Sequence, residues 1–143
     1  GDDWRVDADI AWYEWDSIQQ LRIERTTGVE VSTLELEYEN TFRYSLGGTY
    51  TGLDSTTLRA GVAYDETPIS SPETNTPRIP DGDRTWLTVG ATFEMSATSS
   101  IDVGYAHLFV DEVEVNNEEQ GNTLRGEFDP AVDILSVAAN WRF

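Results

Sequence analysis

The strongest constraint on this chain is a two-residue period in hydrophobicity, clearest over the last eleven residues, Asp133 to Phe143. One face of this segment is polar and carries Asn140 and Arg142. Successive side chains of a β-strand point to opposite sides, so the pattern predicts a strand with one wet face and one apolar face. The apolar positions are Leu135, Val137, Ala139, Trp141 and Phe143.

A strand with these two faces has two interpretations. In a bacterial outer-membrane barrel, the outward face contacts lipid and aromatic residues lie at the membrane interfaces. In a soluble β-sandwich, the apolar face would be buried against a second sheet. The aromatic residues Trp141 and Phe143 at the end of the segment favour the membrane barrel.

The same alternation recurs along the chain and predicts seven strands. Short turns near Asp16, Asp54 and Thr98 alternate with long connections, so all the short turns are expected at one end of the sheet. Outer-membrane barrels have this asymmetry, with short periplasmic turns and long extracellular loops. The predicted strands are 6–15, 18–24, 42–50, 57–65, 86–95, 101–109 and 133–143, and the long connections are 25–40, 66–83 and 111–129.

An odd number of strands implies that something is needed to complete the barrel. Unpaired strand edges are not tolerated in hydrocarbon, and bacterial single-chain barrels usually have an even number of strands. We therefore expect residues 1–143 to be one segment, the C-terminal part of a larger barrel, or a sheet whose edges pair with another chain. Since no basic and then apolar segment opens the sequence, we also expect a removed leader or a longer chain.

Composition excludes several classes of function. The formal charge of −18 argues against nucleic acid as a partner, because phosphates would be repelled. The absence of Cys rules out disulfides and thiolate metal sites in these residues. No apolar run of about 18 residues is present, so the sequence predicts no transmembrane helix.

Several short motifs, in order and at compatible spacing, resemble the long-chain fatty-acid outer-membrane transporters, the FadL family. The resemblance covers essentially all of residues 6–143. Its pieces are Trp12-Tyr13-Glu14-Trp15, Asn40 to Tyr44 running to Gly47, Leu58 to Asp65, Thr76 to Asp81, Gly104 to Phe109, and Asp133 to Leu135 running to Asn140–Phe143.

The resemblance implies a fourteen-stranded transmembrane β-barrel plugged by an N-terminal hatch, of which this chain would supply about the last seven strands. It implies an outer-membrane location in a Gram-negative bacterium. It also implies uptake of fatty acids or other hydrophobic molecules by diffusion past the hatch to a lateral opening. The hatch and the first half of the barrel lie outside this sequence.

Four residues are candidates for ligand binding. Arg43 and Arg59 fall on the inward face, where a guanidinium can hold a carboxylate by two hydrogen bonds. Acidic residues share that face, however, so pairing of opposite charges across neighbouring strands is the favoured role. Arg78, in the proline-rich connection, is a candidate for recruiting ligand or for anchoring its own loop, and Trp86 is the best aromatic candidate for contacting a hydrophobic ligand.

Other residues are predicted to have structural roles. Four aromatic residues on apolar faces are expected to anchor the barrel at the membrane interfaces: Trp12, Tyr105, Trp141 and Phe143. His107 falls on the outward face, and no Gly-x-Ser-x-Gly motif accompanies it, so no catalytic residues are predicted. The acidic residues from Asp111 to Glu119 predict a solvated loop. Neither a metal site nor a cofactor is predicted.

The mechanism expected from the sequence is passive. A hydrophobic pocket at the outer end of the barrel, completed by connections 25–40 and 66–83, would bind the ligand. The expected partners are outer-membrane lipid and lipopolysaccharide, a hydrophobic or fatty-acid ligand, and the remaining strands and hatch of the barrel. The alternatives are a non-transporting outer-membrane protein with acidic extracellular loops, and a soluble β-sandwich binding module.

Overall fold

The computed structural model describes residues 3–28, 30–77, 80–119 and 122–143, and these residues form ten β-strands and one 3₁₀ turn, Trp15–Ser17. The strands are β1 (Trp4–Tyr13), β2 (Gln20–Glu24), β3 (Glu30–Glu35), β4 (Thr41–Leu53), β5 (Thr56–Asp65), β6 (Arg84–Ser96), β7 (Ser99–Val110), β8 (Val113–Glu119), β9 (Asn122–Phe128) and β10 (Ala131–Trp141).

Six of these strands form one antiparallel sheet, the wall, in the order β1-β4-β5-β6-β7-β10. Strands β2 and β3 pair only with each other, and so do β8 and β9, as two separate hairpins. Since β1 and β10 end the order of the sheet, the wall formed by the described residues is open rather than closed.

The predicted strand 18–24 is not a wall strand, and the wall has six strands rather than seven. Its apolar residues pair locally, with Leu21 opposite Leu34 and Ile23 opposite Ser32. The alternation in this segment therefore comes from an outer hairpin, since residues 20–24 form β2.

The connections between wall strands are still short at one end and long at the other, although segment 18–24 is not part of the wall. The wall strands are joined at one end by the short turns 54–55 and 97–98, and at the other by the long connections 14–40, 66–83 and 111–130. The turn at Asp16 lies within the first long connection, not at the short-turn end. The predicted loop 111–129 contains two paired strands, β8 and β9, and Val113 and Val115 of β8 are both 2% exposed.

The strand register places apolar side chains on one face of the wall. Directly paired residues of antiparallel strands share a face, so one row runs through Ala60, Val89, Tyr105 and Leu135. In this row Val89 is 57% exposed and Leu135 is 74% exposed. A continuous apolar surface of this size is unusual on a soluble monomer, and contact with lipid accounts for it.

Aromatic residues lie at both ends of this apolar face. At the short-turn end, the rings of Trp4 and Tyr50 are 4.5 Å apart. At the other end, Phe42 stacks on Tyr44 at 6.0 Å, and Trp12 lies opposite Phe42. The eight residue-to-residue steps from Trp4 to Trp12 span about 27 Å along the strand, or about 21 Å across a membrane at the usual tilt. This is close to the height of the apolar band of known barrels.

The four predicted anchors occupy different positions. Trp12 and Trp141 lie at opposite ends of the apolar face, as expected for interface residues. Tyr105 lies nearer the middle of its strand, four residues from Phe109, and its hydroxyl donates to Asp133 at 2.6 Å. Phe143 follows the end of β10 and is fully exposed. The anchoring role of all four stays a prediction.

A charge placed on the apolar face tests its contact with lipid. We expect Val89→Arg to lower the free energy of unfolding by about 2–4 kcal/mol, because the guanidinium would enter hydrocarbon near the middle of the membrane. The control is Ser45→Arg on the opposite face, where the new charge lies beside Asp9. Urea unfolding of the full-length protein in lipid vesicles measures both, and equal losses would contradict the assignment of the faces.

Candidate functional site

The described residues of the proline-rich connection, 66–77 and 80–83, form a loop that is built on two aspartates. The side chain of Asp83 accepts a hydrogen bond from the backbone N–H of Thr67 at 2.8 Å, and Asp81 accepts one from the Thr67 hydroxyl at 2.9 Å. Asn75, which is buried, donates to the carbonyl of Asp81 and accepts from its N–H, at 2.9 and 3.2 Å. These bonds hold together the two ends and the centre of a segment that its prolines exclude from the ladder.

This loop is also joined to the connections on either side. The carbonyl of Pro68 accepts from the N–H of Glu39 at 2.9 Å, which fixes the loop to the base of the β2–β3 hairpin. The carbonyl of Pro72 accepts from the N–H of Asn116 at 2.8 Å, which fixes it to β8. The three long connections therefore form one interlocked outer layer.

A cleft of about 450 Å³ opens between this outer layer and the wall. Three aromatic rings form one side of it, with Trp15 6.4 Å from Tyr13 and in edge contact with Tyr38 at 6.2 Å. Tyr13 belongs to the inward face of β1, so the cleft lies at the outer end of the lumen side. Its lining residues are Tyr13, Trp15, Tyr38, Asp65, Glu66, Pro68, Ile69, Asp81 and Arg84.

Charged residues at the floor of the cleft pair across neighbouring strands. The carboxylate of Asp65 lies 3.4 Å from the guanidinium of Arg43 and 3.6 Å from that of Arg84. A second carboxylate, Asp81, lies 3.5 Å from Arg84. The register explains this cluster, since Arg43, Asp65 and Arg84 are directly opposite one another on three adjacent strands. For Arg43, the geometry agrees with the bracing role that the sequence favoured.

Trp86 lies next to this cluster on the inward face. The guanidinium carbon of Arg43 is 5.2 Å from the centre of the Trp86 ring, within the range of a cation–π interaction. The sequence named Arg43 and Trp86 separately, and the fold brings them together. The buried Nε atoms of Arg84 and Trp86 have no hydrogen-bond partner among the described residues, and a ligand in the cleft reaches them only if side chains move.

Arg59 belongs to a different cluster, further towards the short-turn end. It donates to the hydroxyl of Thr92 at 2.7 Å, and Thr92 donates to Asp102 at 2.5 Å. Asn140 also donates to Asp102, at 2.7 Å, so the network crosses four strands. Six residues separate Arg59 from Asp65 along β5, about 20 Å, and the two arginines cannot hold the same small group.

The remaining predicted positions do not contribute to the cleft. Arg78 lies outside the described residues. His107 is on the outward face, as the alternation predicted, with its Nδ1 2.7 Å from Asp133 and its ring at 4.3 Å from Phe109. This pairing with Asp133 was not predictable from the sequence, because it depends on the register between β7 and β10.

The residues that form the cleft were only partly visible in the sequence. Tyr13 and Trp15 stood out as part of an aromatic motif, but not as ligand contacts, because alternation assigns a face and not a neighbour. Tyr38 joins them only through the fold of the β2–β3 hairpin base. Arg84, which links two carboxylates, carried no signal, because it lies just before the predicted strand 86–95.

The described residues contain neither a candidate metal site nor a helix that could span a membrane. Residues 3–28, 30–77, 80–119 and 122–143 contain no group of three or more acidic or histidine side chains placed to hold a metal ion. Within the same ranges, no helix has the length and hydrophobicity needed to cross a membrane.

Similarity to known proteins identifies the family of this chain. All of residues 1–143 match the family model described as "Outer membrane protein transport protein (OMPP1/FadL/TodX)". The chain belongs to this family. It is therefore part of an outer-membrane protein of the Gram-negative type, and the predicted fold class, a transmembrane β-barrel of the FadL type, is confirmed.

Individual relatives agree with the OMPP1/FadL/TodX assignment. The chain is 41% identical over 135 residues to a 47 kDa outer membrane protein of Pasteurella multocida, a match covering 91% of the chain and 29% of the relative. It is 31% identical over 113 residues to the long-chain fatty acid transport protein of Escherichia coli K12, covering 79% and 25%.

A solved structure, a FadL homologue of Pseudomonas aeruginosa, is similar with a TM-score of 0.89 at 35% identity. That match covers 99% of this chain and 33% of the other. The chain thus spans a third or less of the length of these three relatives.

The packing of the outer layer predicts the effect of one small substitution. A Cβ added at Gly82 would lie 2.9 Å from Val113 Cγ2 and 3.0 Å from the carbonyl oxygen of Asp111. We therefore expect Gly82→Ala to push the loop away from β8 and to speed amide exchange at Asp111 and Asn116. Gly126→Ala is the matched control, since nothing lies within 4 Å of its added Cβ. Unchanged exchange in Gly82→Ala would show that this contact is not tight.

The hydrogen bonds of Asn116 with Pro72 and Glu73, which join the loop 66–83 to β8, are predicted to weaken in acid. The pKa of Glu73 is lowered by hydrogen bonds from its own backbone N–H and then from the side chains of Ser71 and Asn116. Because the folded pKa is depressed, the stabilisation is present above the ordinary glutamate pKa of about 4.3 and is lost as the pH falls through the folded value.

Hydrogen exchange of the Asn116 amide, followed from neutral pH to below about pH 4, tests this expectation. Protection should decrease in the parent protein over that range and be low and nearly independent of pH in Glu73→Gln. If the protection of the Asn116 amide depends on pH equally in both proteins, a group other than Glu73 is responsible.

Proposed function

We propose that this chain forms part of a passive outer-membrane transporter for hydrophobic small molecules, with long-chain fatty acids among the possible ligands. The observation that carries the proposal is the aromatic cleft at the outer end of the lumen side, lined by Tyr13, Trp15 and Tyr38. Its volume of about 450 Å³ suits the alkyl or aromatic body of a small ligand.

The affinity would come mainly from burial of apolar surface. At about 25 cal/mol per Å², a ligand that buries roughly 200 Å² gains on the order of 5 kcal/mol before the cost of association is subtracted. Tyr and Trp side chains provide large apolar surfaces and lose little conformational entropy when they bind. This favours reversible capture, as passive uptake requires.

A path inward from the cleft follows from the placement of the candidate residues. We propose that the ligand next meets the Arg43–Trp86 pair and then passes the face that carries Arg59. Arg78 belongs to the connection that covers the cleft, and we propose a contact with ligand at entry. Ligand binding by these four residues is a prediction of the fold and of the family resemblance together.

The names of the relatives support fatty acids as one ligand class. The Escherichia coli relative is named for transport of long-chain fatty acids. The chain matches a quarter of that protein, so the ligand of the whole protein is proposed here by similarity.

We also propose the partners that complete the molecule. Strands β1 and β10 each have one edge without a partner within the described sheet, and hydrocarbon does not tolerate such edges. They would pair with further barrel strands, whose lumen would hold a hatch. The apolar face would contact membrane lipid, and its outer rim would contact lipopolysaccharide.

Removal of one aromatic ring tests the cleft as a binding site. We expect Trp15→Ala to weaken binding of oleyl alcohol to the full-length protein in detergent about tenfold, because a large apolar contact is lost. Trp4→Ala is the matched control, since Trp4 lies on the outward face at the short-turn end. If oleyl alcohol binds equally to the parent and both variants, the cleft is not the capture site.

A further inference from the structure

The residues that line the aromatic cleft carry more negative than positive charge. Among the described lining residues, Asp65, Glu66 and Asp81 contribute three carboxylates, and Arg84 contributes the single guanidinium. The side chain of Asp65 is 14% exposed and that of Asp81 is 22% exposed, so water screens these charges only in part. A ligand in the cleft therefore meets a floor that is negative overall.

Among the described residues, the arginines near the cleft already have partners. Arg84 lies between Asp65 and Asp81 at 3.6 and 3.5 Å, and Arg43 pairs with Asp65 at 3.4 Å. A ligand carboxylate would have to displace an aspartate that the strand register holds in place. Displacement would also leave that aspartate part-buried and without its partner, which is unfavourable.

The surrounding outer layer has the same sign. The connections 14–40, 66–83 and 111–130 together contain eighteen Asp and Glu residues and four Arg residues. All three connections lie at the same end of the wall as the cleft. The resulting field repels anions as they approach from outside the cell.

We propose that the outer cleft admits its ligands in uncharged form: alcohols, esters, hydrocarbons, or a fatty acid whose carboxyl is protonated. This inference rests on the proposed function and narrows its ligand class. The aromatic rings of Tyr13, Trp15 and Tyr38 hold the apolar body of the ligand. The charged floor formed by Asp65, Glu66, Asp81 and Arg84 rejects a carboxylate and tolerates a hydroxyl, which can donate a hydrogen bond to an aspartate.

Two probes of equal chain length test the proposal, 1-dodecanol and dodecanoate. At about pH 8 the dodecanoate is ionised, since its pKa is close to that of ordinary carboxyl groups. We expect the full-length protein in neutral detergent at low ionic strength to bind dodecanol at least about tenfold more tightly, as measured by calorimetry. Added salt should strengthen dodecanoate binding and leave dodecanol binding unchanged.

A substitution at the centre of the ion-pair cluster should change this preference. Asp65→Asn removes the carboxylate that Arg43 and Arg84 share, so dodecanoate should gain about tenfold while dodecanol changes little. Asp7→Asn is the matched control, because Asp7 also pairs with an arginine on the inward face, Arg5, but lies outside the cleft. If Asp65→Asn fails to fold, Asp81→Asn removes one partner of Arg84 and should shift the preference in the same direction.

The outcomes separate the two proposals. If dodecanoate binds the parent protein as tightly as dodecanol, or if Asp65→Asn and Asp7→Asn have the same effect, selection of uncharged ligands is wrong. If Trp15→Ala leaves the affinity for both probes unchanged, the cleft does not bind ligand and the proposed function itself fails. Tight dodecanol binding that depends on Trp15, with dodecanoate gaining only in the cleft variants, supports both.

Discussion

A lipid environment leaves a backbone N–H or C=O no partner except another backbone group, and the rest of this structure depends on that constraint. Each interior wall strand meets it by pairing along both edges, in antiparallel ladders that run through ten or more residues in several cases. Pairing at every residue fixes which side chains point outward. The apolar face, its aromatic ends and the charged inward face all follow from this one ladder.

The inward face is under a different constraint, because its charged side chains are part-buried and each needs a partner of opposite charge. It does so by placing opposite charges directly across the ladder, as in the row Arg43, Asp65 and Arg84. Such pairs depend on geometry because each carboxylate must satisfy more than one neighbour. In the proposed mechanism the same placement decides what the cleft above them binds, so the bracing of the wall and the selection of ligand use the same atoms.

Strand alternation and connection length were sufficient to predict the fold class, the two faces of the wall and its short-turn end. They failed where pairing is local. The segment 18–24 alternates like a wall strand, yet Leu21 pairs with Leu34 in an outer hairpin, because an alternating pattern does not identify the partner strand. The same limit hid β8–β9, where Val113 and Val115 are separated by acidic residues and read as solvated loop.

For the candidate site, the residue types were easier to predict than their grouping. Arg43 and Trp86 were singled out as separate candidates, and their contact depends on the twist and register of three strands. Tyr38 joins Tyr13 and Trp15 across a connection of more than twenty residues, a distance that sequence periodicity does not bridge. Arg59 was grouped with Arg43 by its face alone, although about 20 Å of strand separates Arg59 from Asp65, the partner of Arg43.

The two outer hairpins have a consequence for how such proteins diverge. Strands β2–β3 and β8–β9 begin and end between neighbouring wall strands, so residues can be inserted or removed in pairs at their tips without shifting the wall register. The outer surface can therefore vary in length and sequence while the wall stays fixed. Both hairpins are restrained where they meet the loop that covers the cleft, because Glu39 and Asn116 each donate a backbone hydrogen bond to it.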